Sequence, residues 1–437
     1  MISTIREILR YINEGGVNIW LIALVYFWSI WIVKIVCSRL YKPVQKDFFA
    51  PMSVIVPTYH EDKDILSESV ERILKYSKDI VTEVIVVTDQ REQDVAQFLI
   101  TKYAVEQRLH VIVSPPGKRE AVDAGVRFAT NEIVSVIESD TFVDEKTLYE
   151  LIKPFNDPKV GGTVGDQRIY RPYDSLVNFF NTLVESTKYN ITIPALSLFG
   201  CVTVLGGRCV AYRKSVILPL LPDLINEKFL GKKCISGDDG RLTSLMLKAG
   251  CRCVYQSTAI AYTVSPPSWY VLMRQRLRWH RNTSRRTIRA LTCWDGVWAW
   301  KRPVIAIQMI FVWTNTIMMT FIIYALIMSI KSGNWFWFGR TYFDIFARIT
   351  LLLLGITLTR IIRVYPILKY HNTRKWSYFP LFPWYLTMMW IVRLYAIFTM
   401  NKQGWITRSS SGAGGFSDQG QKVTSADVQL DSDKIET

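Results

Sequence analysis

The chain has little histidine, no paired cysteines and far fewer acidic residues than basic ones. Only 4 His occur in 437 residues, and the 7 Cys are scattered with no CxxC pair. Cys251 and Cys253 would share one face of a strand, yet a zinc centre there would lack further ligands. A zinc site and a disulfide scaffold are therefore excluded, and the thiols read as reduced cytosolic ones. Charged residues are 21% of the chain, and 53 Lys and Arg against 37 Asp and Glu leave a net charge of +16. The basic residues gather beside apolar runs, which argues against nucleic acid as a partner. That placement favours a membrane surface and anionic small molecules.

What is abundant is apolar and aromatic: 49% and 13% of the residues, with 15 Trp. The length allows one large or two ordinary domains. After a polar N-terminal segment (1–16), residues 17–37 are almost wholly apolar, interrupted by Lys34 near the end. They are long enough to cross a hydrocarbon core as a transmembrane helix, and no small-residue cleavage site follows. Lys34, Arg39, Lys42 and Lys46 place the next domain, 45–280, in the cytosol. Residues 281–302 mix cations with Trp294, Trp298 and Trp300, which suits an interfacial amphipathic segment in the headgroup layer. Residues 303–361 hold two transmembrane helices, Val304–Ile330 and Tyr342–Thr359, followed by the basic run from Arg360 to Lys375. Arg348 in the second reads either as snorkelling or as lining a polar path. Residues 378–400 are apolar but carry Pro380, Pro383 and Arg393, and read as interfacial or re-entrant, giving three crossings in all. Residues 409–437 are Ser-, Gly- and Asp-rich and predict a disordered tail.

Inside 45–280, apolar runs at Met52–Thr58, Val81–Asp89, His110–Val113 and Ile133–Ile137 alternate with the helical patterns Ile65–Tyr76 and Asp94–Gln107. This alternation predicts an α/β domain with a mostly parallel sheet, whose ligands gather at the strands' carboxyl ends. Polar residues follow each run: Thr58-Tyr59-His60-Glu61-Asp62, then Asp89, then Gly117-Lys118-Arg119, then Glu138-Ser139-Asp140-Thr141. Any one of these could be a turn or a helix cap. Four in succession predict a nucleotide site.

Downstream stand an acidic pair, Asp238-Asp239, and the cluster Gln275-Arg276-Leu277-Arg278-Trp279. Guanidinium groups can hold a diphosphate and an indole can stack on a sugar ring. With a carboxylate as base, these are the parts sugar transfer from a nucleotide donor requires. Two plainer readings stand beside this one. The acidic pair could cap a helix at Leu242–Lys248, and the cations could attract anionic lipid.

Residues 52–279 resemble family 2 glycosyltransferases of the processive membrane type, in the manner of type 3 capsular polysaccharide synthases and hyaluronan synthases. The resemblance rests on VIVPTYHED (54–62), VVTD (86–89), PGKR (116–119), ESDT (138–141), GGR (206–208), SGDD (236–239), VYQST (254–258) and RQRLRW (274–279). Near the end, Gly404-Trp405-Ile406-Thr407-Arg408 looks like a gating loop (401–408). The resemblance implies a GT-A-type, Rossmann-like cytosolic domain inserted between transmembrane helices. It implies UDP-sugar donors, a growing polysaccharide as acceptor, and Mn2+ or Mg2+ as cofactor. Tyr59, Glu61 and Asp89 would hold the uridine, Lys118 the phosphates, Glu138 the nucleotide and Asp140 the metal. Asp239, with Asp238 beside it, would be the catalytic base. Gln275, Arg278 and Trp279 would bind diphosphate and acceptor sugar, and Trp405 with Arg408 would cap the donor. Three crossings are few for a polymer channel, so interfacial helices or a second protomer, a homodimer, would complete it. Two positions depart from the family: Glu138 replaces the usual first Asp of the D-x-D motif, and Gly240 replaces the Arg that usually follows the acidic pair, Arg241 standing one place later.

Overall fold

The β-branched runs form strands because a parallel sheet covered on both faces buries the side chains of its central strands on both sides. The structure, a computed structural model, describes residues 19–333, 341–347, 350, 354 and 382–402. In it β1 (Met52–Pro57), β2 (Val81–Asp89), β3 (Leu109–Ser114) and β4 (Ile133–Ile137) run parallel in the order β3–β2–β1–β4. β1 and β4 are buried along their whole length. Helix α1 (Ile19–Leu40) precedes them, and α2 (Lys63–Tyr76), α3 (Gln93–Lys102) and α4 (Lys118–Phe128) connect them. α2 begins earlier than the apolar period predicts, because the Asp62 carboxylate accepts the N–H groups of Asp64 and Ile65.

The second half of the sheet is mixed rather than parallel. β5 (Thr141–Val143), β6 (Val160–Ile169), β7 (Cys209–Arg213) and β10 (Arg252–Thr263) complete the order β3–β2–β1–β4–β7–β6–β10–β5. β7 lies antiparallel to both β4 and β6, β6 parallel to β10, and β5 antiparallel to β10. β8 (Lys228–Phe229) and β9 (Lys232–Lys233) form a separate ribbon. The sequence VGGTVGDQRI of β6 gives little apolar signal, and its glycines are there for space. A Cβ at Gly165 would stand 2.4 Å from the Ala259 carbonyl of β10, so the two backbones can approach only without one.

The longer helices after β5 are α5 (Thr147–Ile152), α6 (Leu176–Thr187), α7 (Asp238–Lys248), α8 (Trp269–Leu291), α9 (Pro303–Ser332) and α10 (Phe382–Phe398). The boundary predicted at 280 falls inside α8, which runs on unbroken to Leu291. Arg281, Arg285 and Arg289 on it are buried in protein rather than turned to headgroups. Arg289 pairs with Glu227 at 3.2 Å, and the predicted interfacial segment thus begins as part of the α/β domain. Of its tryptophans, Trp298 is buried while Trp294 and Trp300 are exposed.

α1 forms where residues 17–37 predict a helix and packs on α9 through Tyr26, Phe27 and Trp31 against Phe311. Tyr26 Oη and Thr314 Oγ1 add a hydrogen bond of 3.0 Å between them. Among the described residues, α9 is the one helix long and apolar enough to cross a membrane. α10 lies along α8, where Arg281 Nε donates to Thr399 Oγ1 at 3.1 Å and Arg285 to the Met400 carbonyl at 2.7 Å, and it meets α6 where Tyr385 stacks on Phe180 at 5.2 Å. The N-terminal segment, most of the second predicted span, Trp405, Arg408 and the tail lie outside the described residues.

α4 approaches β1 closely enough that a Cβ on Gly125 would stand 2.5 Å from Ile55 Cγ2. Gly125→Leu is expected to overpack this contact and lower stability by about 1–3 kcal/mol. A thermal midpoint equal to that of the wild type would show that the helix can move off the sheet.

Candidate active site

Two cavities open where β1, β2 and β4 end, and they share a wall. The larger, about 560 Å³, runs past Thr58, Tyr59, Asp89, Arg91 and Gly117. The smaller, about 280 Å³, runs past Glu185, Lys188, Arg208, Asp239 and Trp279. Lys118, Glu138, Asp140, Val264, Gln275 and Arg278 border both. Ligand sites at the carboxyl ends of parallel strands follow from the topology, since loops and helix N-termini converge there.

In the larger cavity Asp89 ends β2, and Arg91 grips it in a fork, Nε to Oδ1 at 2.7 Å and Nη2 to Oδ2 at 2.6 Å. The Arg91 hydrogen bonds hold the Asp89 carboxyl below its usual range. The same guanidinium stands 4.8 Å from the centre of the Tyr59 ring, so Tyr59, Arg91 and Asp89 form one wall. Glu61, past the end of β1, accepts the Ser139 hydroxyl at 2.7 Å, tying the β1 and β4 ends together.

At the shared wall Lys118 opens α4, preceded by Gly117 at φ 131°, a conformation that favours glycine. Its ammonium donates to Glu138 and lies 3.6 Å from Asp238. Burial opposes its charge, but Asp238, Glu138 and Asp239 together outweigh that and keep the lysine protonated. Burial would raise Glu138, yet Lys118, Arg208 and Arg278 hold it ionised well below the ordinary value. The extra methylene of Glu138 thus still delivers a carboxylate to the wall.

In the smaller cavity Asp238 and Asp239 occupy the first turn of α7, where the positive end of the helix favours carboxylates. The pair does not cap a helix at Leu242–Lys248: the helix begins at Asp238 with Gly237 as its N-cap and no side-chain cap, and the two carboxylates lie inside its first turn, facing the cavity. Asp239 Oδ1 accepts the Gly240 N–H at 2.7 Å. Burial, then the neighbouring Asp238, push the Asp239 carboxyl above its usual value, with Lys118 opposing. Trp279, on α8, faces the same cavity, and guanidiniums stand over its ring at 4.6 Å (Arg276) and 5.2 Å (Arg208). Arg276 is itself held by buried Glu185 at 2.9 Å, just before a π-helical turn, Lys188–Thr192, that carries Lys188 into the wall. Such turns occur often at functional sites.

Among the described residues no group of three His, Cys, Asp or Glu side chains is placed to hold a metal alone. The donor set fits a Mg2+ or Mn2+ that takes part of its ligands from a substrate: Glu138 and Asp140 supply hard carboxylate oxygens on the wall between the cavities.

The structure brings Lys118, Glu138, Asp140, Asp238, Asp239, Gln275, Arg278 and Trp279 to one cavity, and Tyr59 and Asp89 to its neighbour. Glu61 reaches this region through Ser139 and lines neither cavity. Arg241, the cation nearest in sequence to the acidic pair, turns away to Asp295 at 2.6 Å. Reading the sequence left out Arg91, Glu185 and Lys188. Arg91 stands two residues past Asp89 and carried a local signal. Glu185 and Lys188 gave none, because Arg276, the partner that buries Glu185 as an ion pair, is distant in sequence.

Comparison with known proteins gives a consistent picture. Residues 50–282 match the family model described as Glycosyltransferase like family 2. An N-acetylglucosaminyltransferase of Rhizobium leguminosarum bv. viciae is 30% identical over 259 residues, 59% of this chain and 61% of that one. Hyaluronan synthase 3 of Mus musculus is 28% identical over 295 residues, 67% of this chain and 50% of that one. The chain thus spans about half to three fifths of the length of these curated relatives. Among solved structures, a mannosyltransferase from Pyrobaculum calidifontis in complex with GDP-Man and Mn2+ superposes with a TM-score of 0.56 at 18% identity, covering 86% of this chain and 99% of that one. That likeness supports the GT-A-like α/β fold.

Removing one member of a buried ion pair strands the other, so Arg276→Met should destabilise by about 3–5 kcal/mol. A thermal midpoint within a degree of the wild type would contradict this. Burial would raise Glu185, but Lys188, Arg276 and Arg208 pull it down to about 2 from 4.5. A folded value below the unfolded one gives stability that is present above the unfolded value and lost as pH falls from about 4.5 toward 2. Glu185→Gln should flatten the acid unfolding curve in that window; an unchanged curve would deny the pair its role.

Proposed function

Because the chain belongs to the Glycosyltransferase like family 2 and is a glycosyltransferase related to chitin- and hyaluronan-type synthases, we propose that it is a processive, inverting β-glycosyltransferase. It polymerises UDP-sugars into an extracellular or capsular polysaccharide and extrudes the chain through the membrane. The rhizobial relatives' N-acetylglucosaminyl transfer supports UDP-GlcNAc as one donor. UDP-glucuronate, alternating with UDP-GlcNAc or UDP-glucose, is the second by likeness to hyaluronan synthases. The observation that carries this reading is the shared wall: a nucleotide-sized cavity and a cavity with base and indole meet at the same cations and carboxylates.

The residues divide the work as follows. Tyr59, Arg91 and Asp89 face the uridine. Lys118 and Arg278 meet the diphosphate, for which Lys118 must exchange part of its contact with Glu138. Asp140, with Glu138 beside it, would hold Mn2+ or Mg2+, which would supply positive charge against the diphosphate. Asp239 takes the proton of the acceptor hydroxyl, whose oxygen attacks the anomeric carbon. The bond from that carbon to the β-phosphate oxygen breaks, and UDP departs with the electron pair. Displacement from the face opposite an α-linked donor leaves a β-linkage. Trp279 presents the acceptor sugar, with its ring held by Arg208 and Arg276. Arg285, a cavity residue, donates to the Met400 carbonyl, and the 401–408 gating loop would begin from that point. The catalytic domain stands in the cytosol, with α1 and α9 in the plasma membrane and a second protomer or interfacial helices completing the channel.

Asp239→Asn is expected to lower incorporation at least 10²–10⁴-fold, the range a positioned base supplies, while leaving UDP affinity nearly intact. The base must be deprotonated, and its pKa is raised, so the wild-type rate should climb with pH through a limb above the ordinary carboxylate range. Residual turnover of the Asn variant should lack that limb, and wild-type-like turnover would reassign the base. Product length from labelled UDP-GlcNAc and UDP-glucuronate with Mn2+, followed by linkage-specific digestion, tests the polymer. A lipid carrying one sugar would replace the processive reading with a single-transfer one.

A further inference from the structure

Two glycines flank the acidic pair, and each gives its side-chain space to α8. Gly237 has φ 83°, and a Cβ there would lie 2.8 Å from Asn282 Cγ. Gly240 has no such backbone requirement, being an ordinary residue of the first turn of α7. A Cβ there would lie 2.6 Å from Arg286 Nη1. Asn282 and Arg286 are one helical turn apart and so project from the same face. Asn282 Oδ1 accepts the Ser236 hydroxyl at 3.0 Å and a second hydrogen bond from Arg285. Arg286 Nε is buried with no hydrogen-bond partner among the described residues. Of the charged groups around Arg286, Asp239 is the one that favours its guanidinium against burial. The Asp239 carboxylate sits over the Gly240 amide while the guanidinium fills the space beside the Gly240 α-carbon.

We propose that Asn282 and Arg286 are positioning residues that clamp the Gly237–Gly240 segment from α8 and fix the Asp239 carboxylate, Gly240 being the socket for the Arg286 guanidinium. The inference rests on the reading of Asp239 as the base. It accounts for glycine at the position after the pair: the supporting cation arrives from α8 instead of from the adjacent residue. Arg241, engaged by Asp295 and Glu227, does not supply it.

The test is a double-mutant cycle in the full-length protein, read as UDP released from UDP-GlcNAc plus UDP-glucuronate and as thermal midpoint. Arg286→Ala and Gly240→Ala should each lower kcat roughly 10- to 100-fold, the scale of a 1 Å misplacement, with KM for either donor within about twofold. Alanine ordinarily suits a helix better than glycine, so a loss at Gly240→Ala runs against helix propensity and reports the collision. The Gly240→Ala/Arg286→Ala double variant should be no slower than Arg286→Ala alone, because the socket is then vacant. Arg286→Lys, which keeps the cation, should recover most of kcat. Additive losses in the cycle, or a loss borne by KM, would overturn the proposal. Should every variant be inactive, the midpoints still decide: the Gly240→Ala decrease must disappear in the Arg286→Ala background, and its persistence would refute the socket. An inactive Asp239→Asn with an additive cycle would remove this inference alone, whereas an active Asp239→Asn would remove the base assignment on which it rests.

Discussion

A lysine that cannot leave the protein interior holds the site together. Lys118 lies between Glu138 and Asp238; the carboxylates offset the burial of its ammonium, and the ammonium in turn holds Glu138 ionised. Desolvation of an isolated charge costs several kcal/mol, so burying one member obliges the fold to bring the rest. The strand ends, the first turn of α4 and the first turn of α7 are each fixed in place by this requirement. The same arrangement leaves cations facing a cavity in which a diphosphate can replace carboxylate contacts at little electrostatic cost.

A second cluster repeats the logic on the other wall. Glu185, Arg276 and Lys188 are compensated within the protein, and the compensation orients Trp279 by guanidiniums over its ring. The indole is therefore a rigid part of the wall. It resists the rotation an exposed tryptophan would have, which suits a surface on which successive sugar units come to rest.

The parallel half of the sheet and the residues at its strand ends were legible because both signals are local. A buried strand is a short β-branched run, and a ligand-facing residue is the polar one after it. What was hidden depends on distant partners. The Gly-rich β6 gives no apolar run to read, and only when β10 lies against it do its missing side chains become the reason for the pairing. The cations of α8 read as a headgroup-facing surface because sequence shows charge without its counter-charge. Glu227, far away along the chain, and Asp295, just past the helix, turn Arg289 inward. Gly240 looked like a missing arginine for the same reason, since Arg286 occupies its space from another helix.

The account stands on the nucleotide occupying the larger cavity and the base facing it across the shared wall. A structure determined with UDP and Mn2+ tests this most directly. The uracil should lie against Tyr59 and Asp89, with Asp89 partly released from Arg91, the diphosphate should touch Lys118 and Arg278, and Asp239 should remain open on the far side of the phosphates. UDP bound against Trp279 and Asp239 instead, with the Tyr59 cavity empty, would reverse the donor and acceptor sides and contradict the account.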